Sequence, residues 1–142
     1  VCMQEFGQYD DWRIGKNMEM ITREVEQLKL PGKNEGNVPW DAYTLYYVGQ
    51  ALYQVGGSSW QANYPKLRDH LTTGQFRDPN DPGRHGSWNA GGHVGGKPGQ
   101  LYGTAVGCFI LAIPNRYLPI LQEGKIENLK ALQRGNPTPS AK

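Results

Sequence analysis

An all-α domain is the fold class this sequence predicts, and three observations predict it. Ile14, Met18, Ile21, Val25 and Leu28 recur at a 4-3-4-3 spacing, which puts them on one stripe of a helix. Two further segments, 38–57 and 101–113, are apolar around most of a helical circumference. Helices of the two kinds also alternate along the chain, so the dry ones should form an inner layer and the wet ones an outer layer.

The chain has 142 residues, enough for one domain with a real core. Its hydrophobic content of 37% is diluted by 19 Gly and 10 Pro gathered in the connections. The net charge is only +2 and the basic residues are scattered, which excludes an electrostatic nucleic-acid footprint. No apolar run reaches membrane-spanning length. The first residue is Val1, and VCMQEF reads as the end of a packed helix, so the natural chain is expected to extend upstream. A targeting segment would then lie outside the sequence, and the compartment is not legible. Cys2 and Cys108 do not make a disulfide framework. They read as two buried thiols, or as a single bridge if the compartment is oxidising.

In chain order, 10–30 is predicted as an amphipathic helix, capped by Asp10 or Asp11 and stopped by Pro31-Gly32. The second helix is predicted over 38–57, with Pro39 in its first turn and Gly56-Gly57 at its end. Ser58-Ser59-Trp60-Gln61 has capping-box spacing, and Pro65 argues against one continuous helix. A short turn and then a helix over 64–73, with Tyr64, Leu67 and Leu71 inward, is expected. Residues 75–100 form a 26-residue connection with seven Gly and three Pro, a length that is usually functional or mobile. The apolar segment 101–113 carries small residues at Gly103, Ala105 and Gly107 that permit close helix approach. A weak last helix around 125–133 and a flexible tail over 135–142 complete the expectation, making 1–134 one domain. A faint repeat, such as Pro39 with Pro98 and Tyr43 with Tyr102 at an offset of 59, agrees with paired helices.

Gly86-Ser87-Trp88, the Gly-rich stretch after it, and LYGTAVGCF at 101–109 resemble the repeats of the α/α toroids, the squalene–hopene cyclases and the β subunits of protein prenyltransferases. Their Q…GSW motif is matched by Gln75 and Gly86-Ser87-Trp88, with a long insertion between. YYVGQALYQVGG at 46–57 and RYLPILQ at 116–122 look like a bacterial branch of squalene-cyclase-repeat proteins of poorly defined role. The resemblance covers about residues 1–122 and implies an arc of two to three helix pairs, the C-terminal part of a larger ring around an apolar cavity.

The resemblance also tells which catalytic parts to look for. The cyclases protonate an alkene with an Asp of a D-x-D-D-T-A motif. Thr104-Ala105 matches the Thr-Ala pair, but the acid positions fall on Gln100, Tyr102 and Gly103. The prenyltransferases hold zinc with Asp, Cys and His, and the matching positions are Asp41, Tyr43 and Gly103. One oxygen ligand cannot hold catalytic zinc. His85 and His93 flank the Gly-rich loop without a fixed spacing, and His70 is placed on the polar side of its helix. GGHVGGKPGQ is no P-loop, because Pro98 follows Lys97 and no strand precedes it. The Gly-rich loop therefore reads as a tight turn anchored by Trp88. No metal site and no cofactor is expected.

What remains is an aromatic cluster. Trp40, Asp41, Tyr43, Tyr46, Tyr47, Trp88 and Tyr102 are the candidates for the wall of an apolar cavity, with core packing as the plainer alternative. Asp41 would be structural if a backbone N–H or an Arg satisfied it. The leading expectation is a non-catalytic repeat domain that binds an apolar, isoprenoid-like ligand or a partner protein on its inner face. The alternative is the C-terminal part of an active terpenoid cyclase or prenyltransferase with its acid upstream. Self-association through the exposed inner face is a third.

Overall fold

In the computed structural model of the chain, residues 1–8, 10–90 and 99–115 are described. They form five helices: α1 (Cys2–Glu5), α2 (Trp12–Glu26), α3 (Ala42–Val55), α4 (Gly57–Gly74) and α5 (Gly99–Ala112), the last followed by a 3-10 turn, Ile113–Asn115. Among the described residues there is no strand, only two isolated bridges. The all-α expectation holds. The expected last helix around 125–133 and the tail over 135–142 lie outside the described residues.

Helix α2 starts where Asp11 accepts from the backbone N–H of Arg13 at 2.9 Å. Its apolar stripe faces inward, with Met18 and Val25 buried and Ile14 and Ile21 packed against the same core. It ends at Glu26, before the Pro31-Gly32 stop, because Leu28 N bonds Val25 O in a closing turn. Leu28 still reaches the core from outside the helix.

Helix α3 begins three residues after Pro39, not at it. Asp41 is the reason: one carboxylate oxygen accepts from Thr44 N at 2.9 Å and the other from Thr44 Oγ1 at 2.6 Å. A side chain that satisfies the third helical N–H fixes the start more strongly than Pro does. Trp40 turns the chain into that cap with φ of +55°, a left-handed conformation unusual for a bulky residue.

The expected break before Pro65 does not occur. Helix α4 runs unbroken from Gly57 to Gly74 with Pro65 inside it. Asn63, Leu67 and Leu71 are buried on one side of it, so packing anchors the helix before and after the proline. Gln61, whose carbonyl loses its partner to the proline, is an exposed residue that water can satisfy. The Ser58-Ser59 capping box is also absent: Gly56, at φ +65°, is the N-cap and no side chain caps α4.

The helices pack in two pairs. α2 lies against α4, α3 lies against α5, and α3 joins the pairs through α4. The core between them is built from Val25, Leu45, Leu52, Leu67, Leu71 and Ile110, all fully buried. An aromatic run strengthens the α3–α4 seam, with Tyr53 edge-on to Trp60 at 5.3 Å and Trp60 stacked on Tyr64 at 4.3 Å. Gly49 lets α3 close on α5, because a Cβ there would collide with the Ile110 side chain.

The packing corrects one expectation. The apolar helices are not enclosed on all sides. α3 and α5 bury one face each and leave Tyr43, Tyr47, Leu101 and Tyr102 exposed. Both cysteines are exposed and free, which corrects the reading of two buried thiols and of a bridge.

Candidate functional site

Tyr43 and Tyr47, left open on α3, and Tyr102, left open on α5, border one space. Tyr43, Tyr46 and Tyr47 stand at i, i+3 and i+4 and so share one face of α3. Tyr102, Ala105, Val106 and Phe109 follow the same periodicity on α5. Together these seven residues line an open groove of about 440 Å³. A volume of this size suits a small apolar molecule.

Aromatic contacts set the shape of the groove. Tyr43 meets Tyr47 edge-to-face with centroids 4.8 Å apart, and Tyr46 meets Tyr47 the same way at 5.2 Å. Tyr46 crosses to α5, tilted against Phe109 at 4.9 Å. Neither α3 nor α5 carries a charged side chain. The phenol of Tyr47 is pushed above its ordinary value, first by hydrogen bonding with the Tyr43 side chain and then by charge and burial. It therefore stays protonated at neutral pH. The groove can hold apolar surface and offer a few phenol hydroxyls, and no acid or base among the described residues lines it.

Of the candidates read from the sequence, Tyr43, Tyr46, Tyr47 and Tyr102 come together here. Asp41 does not line the groove. It caps α3, and its carboxyl is held below the ordinary carboxylate range by the Thr44 hydroxyl and nearby backbone N–H groups, against a smaller cost of burial. Trp40 is half-buried in the turn before that cap and packs on the core. Trp88 is only 2% exposed and lies under α5, away from the groove. Ala105, Val106 and Phe109 were not among the candidates. Their spacing from Tyr102 was the available signal.

Trp88 belongs to a clamp that ties α4 to α5. Its indole N–H donates to Leu71 O at 2.9 Å. Its backbone N–H donates to Thr104 Oγ1 at 3.1 Å, and the same hydroxyl donates back to Trp88 O at 3.2 Å. Gln75 donates to Gly86 O at 2.8 Å, while Gln100 donates to Gly83 O at 2.8 Å and to Ser87 Oγ at 2.9 Å. The residues of the Q…GSW pattern thus meet in space, and Thr104 serves them. The Phe76 backbone N–H donates to Ser87 O and its carbonyl accepts from Gly86 N, with Arg84 over the Phe76 ring at 4.2 Å. The first part of the long connection is therefore internally bonded. Ala90 N bonds Gly99 O across the Gly-rich segment, whose residues 91–98, His93 included, lie outside the described residues.

His85 is exposed. His70 is half-buried rather than on a polar face. Its Nδ1 lies 3.0 Å from Lys29 O, and burial lowers its pKa below the ordinary histidine value. Among the described residues, no three His, Cys, Asp or Glu side chains group to hold a metal ion. Among the same residues, no helix is long and apolar enough to cross a membrane. Comparison with protein-family models, with curated proteins and with solved structures found no match to this chain.

Proposed function

We propose that the chain is a non-catalytic α/α repeat domain, similar to those of squalene–hopene cyclases and prenyltransferase β subunits, and that the α3/α5 groove binds an apolar ligand. The observation that carries this reading is the groove itself: two adjacent uncharged helices present four tyrosines, a phenylalanine and two aliphatic residues to one open space. Apolar area of this kind gains about 25 cal/mol for each Å² that a ligand removes from water. The alternation of wet and dry helices and the clamp around Trp88 support the repeat architecture. The positions that would carry a cyclase acid hold Gln100, Tyr102 and Gly103, which supports binding over catalysis by this chain. An isoprenoid-like chain is the ligand class to try first, with an apolar peptide face as the competing occupant.

Calorimetric titration with a fifteen-carbon isoprenoid alcohol tests the reading. Saturable binding by the native chain is expected. Ala105→Trp fills the groove from an exposed helix position, so it should abolish binding without lowering the unfolding temperature. Undiminished binding by a folded Ala105→Trp chain would contradict the groove as the site.

A further inference from the structure

The tyrosines of the groove do more than supply apolar area. In both Tyr contacts on α3 the rings stand near right angles, 71° for Tyr43–Tyr47 and 83° for Tyr46–Tyr47. An edge-to-face contact leaves both faces of the edge-on ring free of its partner. Tyr43, Tyr47 and Tyr102 are respectively 47%, 38% and 37% exposed, so part of each ring is open to an incoming group. Ring faces carry the negative side of the aromatic quadrupole and attract cations.

Among the described residues, the charges on α1 and at the start of α3 agree in sign. α1, α3 and α5 contain no Lys, Arg or His. The α3 N-terminus, whose partial positive charge would oppose a cation, carries the ionised Asp41 two residues before Tyr43. Glu5 of α1 accepts from Gln54 at the other end of α3, placing a second acidic residue there. A carboxylate or ammonium head would demand an ion partner, and the described lining residues supply none. A cation with an apolar surface needs only ring faces.

From this we propose that the groove prefers ligands bearing a quaternary ammonium or similarly alkylated cation, held by Tyr43, Tyr46, Tyr47 and Tyr102. The proposal rests on the groove being a binding site, as in the reading above, and adds the charge of what it binds. Choline and its uncharged carbon isostere, 3,3-dimethylbutan-1-ol, separate the two claims because they match in shape. Titrated into the full chain and followed by NMR of the tyrosine rings, choline should bind about two- to fivefold more tightly than the isostere, the preference that ring–cation attraction at exposed sites gives. Tyr47→Leu keeps apolar area on an exposed position and should erase most of that preference. Equal or tighter binding of the isostere would overturn the cation proposal and leave the apolar site standing. Failure of both probes to saturate would overturn both. A choline preference that survives Tyr47→Leu together with Tyr43→Leu would place the cation elsewhere and also overturn it.

Discussion

Gly107 lies flat against the indole of Trp88: a Cβ on Gly107 would come within 2.9 Å of Trp88 Cε3 and 3.1 Å of Cδ2. The contact explains why an otherwise apolar helix keeps glycine at this position. Alanine would gain up to about 1 kcal/mol in helix propensity. Pushing the indole aside would cost about 1–3 kcal/mol, because Trp88 is pinned by its bond to Leu71 O. Gly107→Ala is therefore expected to lower stability in chemical denaturation. Gly103→Ala should be worse, since its Cβ would meet backbone atoms of Trp88, Asn89 and Ala90, which cannot rotate away.

Thr104 gives the sharpest test of the clamp. One hydroxyl satisfies both the N–H and the carbonyl of Trp88. Thr104→Val keeps the shape and removes both bonds, leaving buried backbone groups unpaired at a cost of about 1–3 kcal/mol. Thr104→Ser keeps the hydroxyl and should retain most of the stability. Equal stability of the valine and serine variants in urea unfolding would refute the clamp.

Asp41 links helix capping to pH. Its pKa is lowered in the folded chain, chiefly by the Thr44 hydroxyl, so the folded state favours the carboxylate. The contribution is therefore complete above the unfolded value near 3.8 and is lost as the pH falls through the lower folded value. Asp41→Ala should cost about 1 kcal/mol at neutral pH, and Asp41→Asn only a fraction of that. In both variants the part of the acid-induced loss due to this group should vanish, as read from melts between neutral and acidic pH.

Gln50 runs the other way. It is 2% exposed, and its side-chain Nε2 has no hydrogen-bond partner among the described residues. Gln50→Met keeps the volume and removes the unpaired amide, so it should stabilise the chain by about 1 kcal/mol. A clear loss of stability in the same melts would show that the amide is satisfied in solution.

Much of this architecture was legible in the sequence because it rests on periodicity. The stripe from Ile14 to Val25 marks a helix and its buried side, whereas the uncharged segments around Leu45 and Val106 mark helices but not the side that stays open. The Gln75 and Gly86-Ser87-Trp88 pattern marked residues that do meet. Misreadings came where a local rule met a tertiary contact. Pro65 predicts a break, but α4 continues through it with Leu67 and Leu71 buried beyond it. Pro39 was read as a helix start, but the Asp41 side chain decides the first turn. Half of the groove was legible. Tyr43, Tyr46 and Tyr47 stood out as aromatics, whereas Ala105 and Val106 are ordinary residues until α5 is laid beside α3. Trp88 was conspicuous for the same reason as the tyrosines, yet its indole N–H finds a carbonyl and draws it into the core. The exposure of Cys2 and Cys108 could not be read, since cysteine type alone says only that burial is common.

The central claim is that the space between α3 and α5 receives apolar ligands. Intermolecular NOEs between isotope-labelled chain and an unlabelled isoprenoid alcohol measure it most directly. Cross-peaks to the rings of Tyr43, Tyr47, Tyr102 and Phe109 are the predicted result. Cross-peaks confined to the exposed Trp12 and Met20 of α2, with none to those rings, would contradict it.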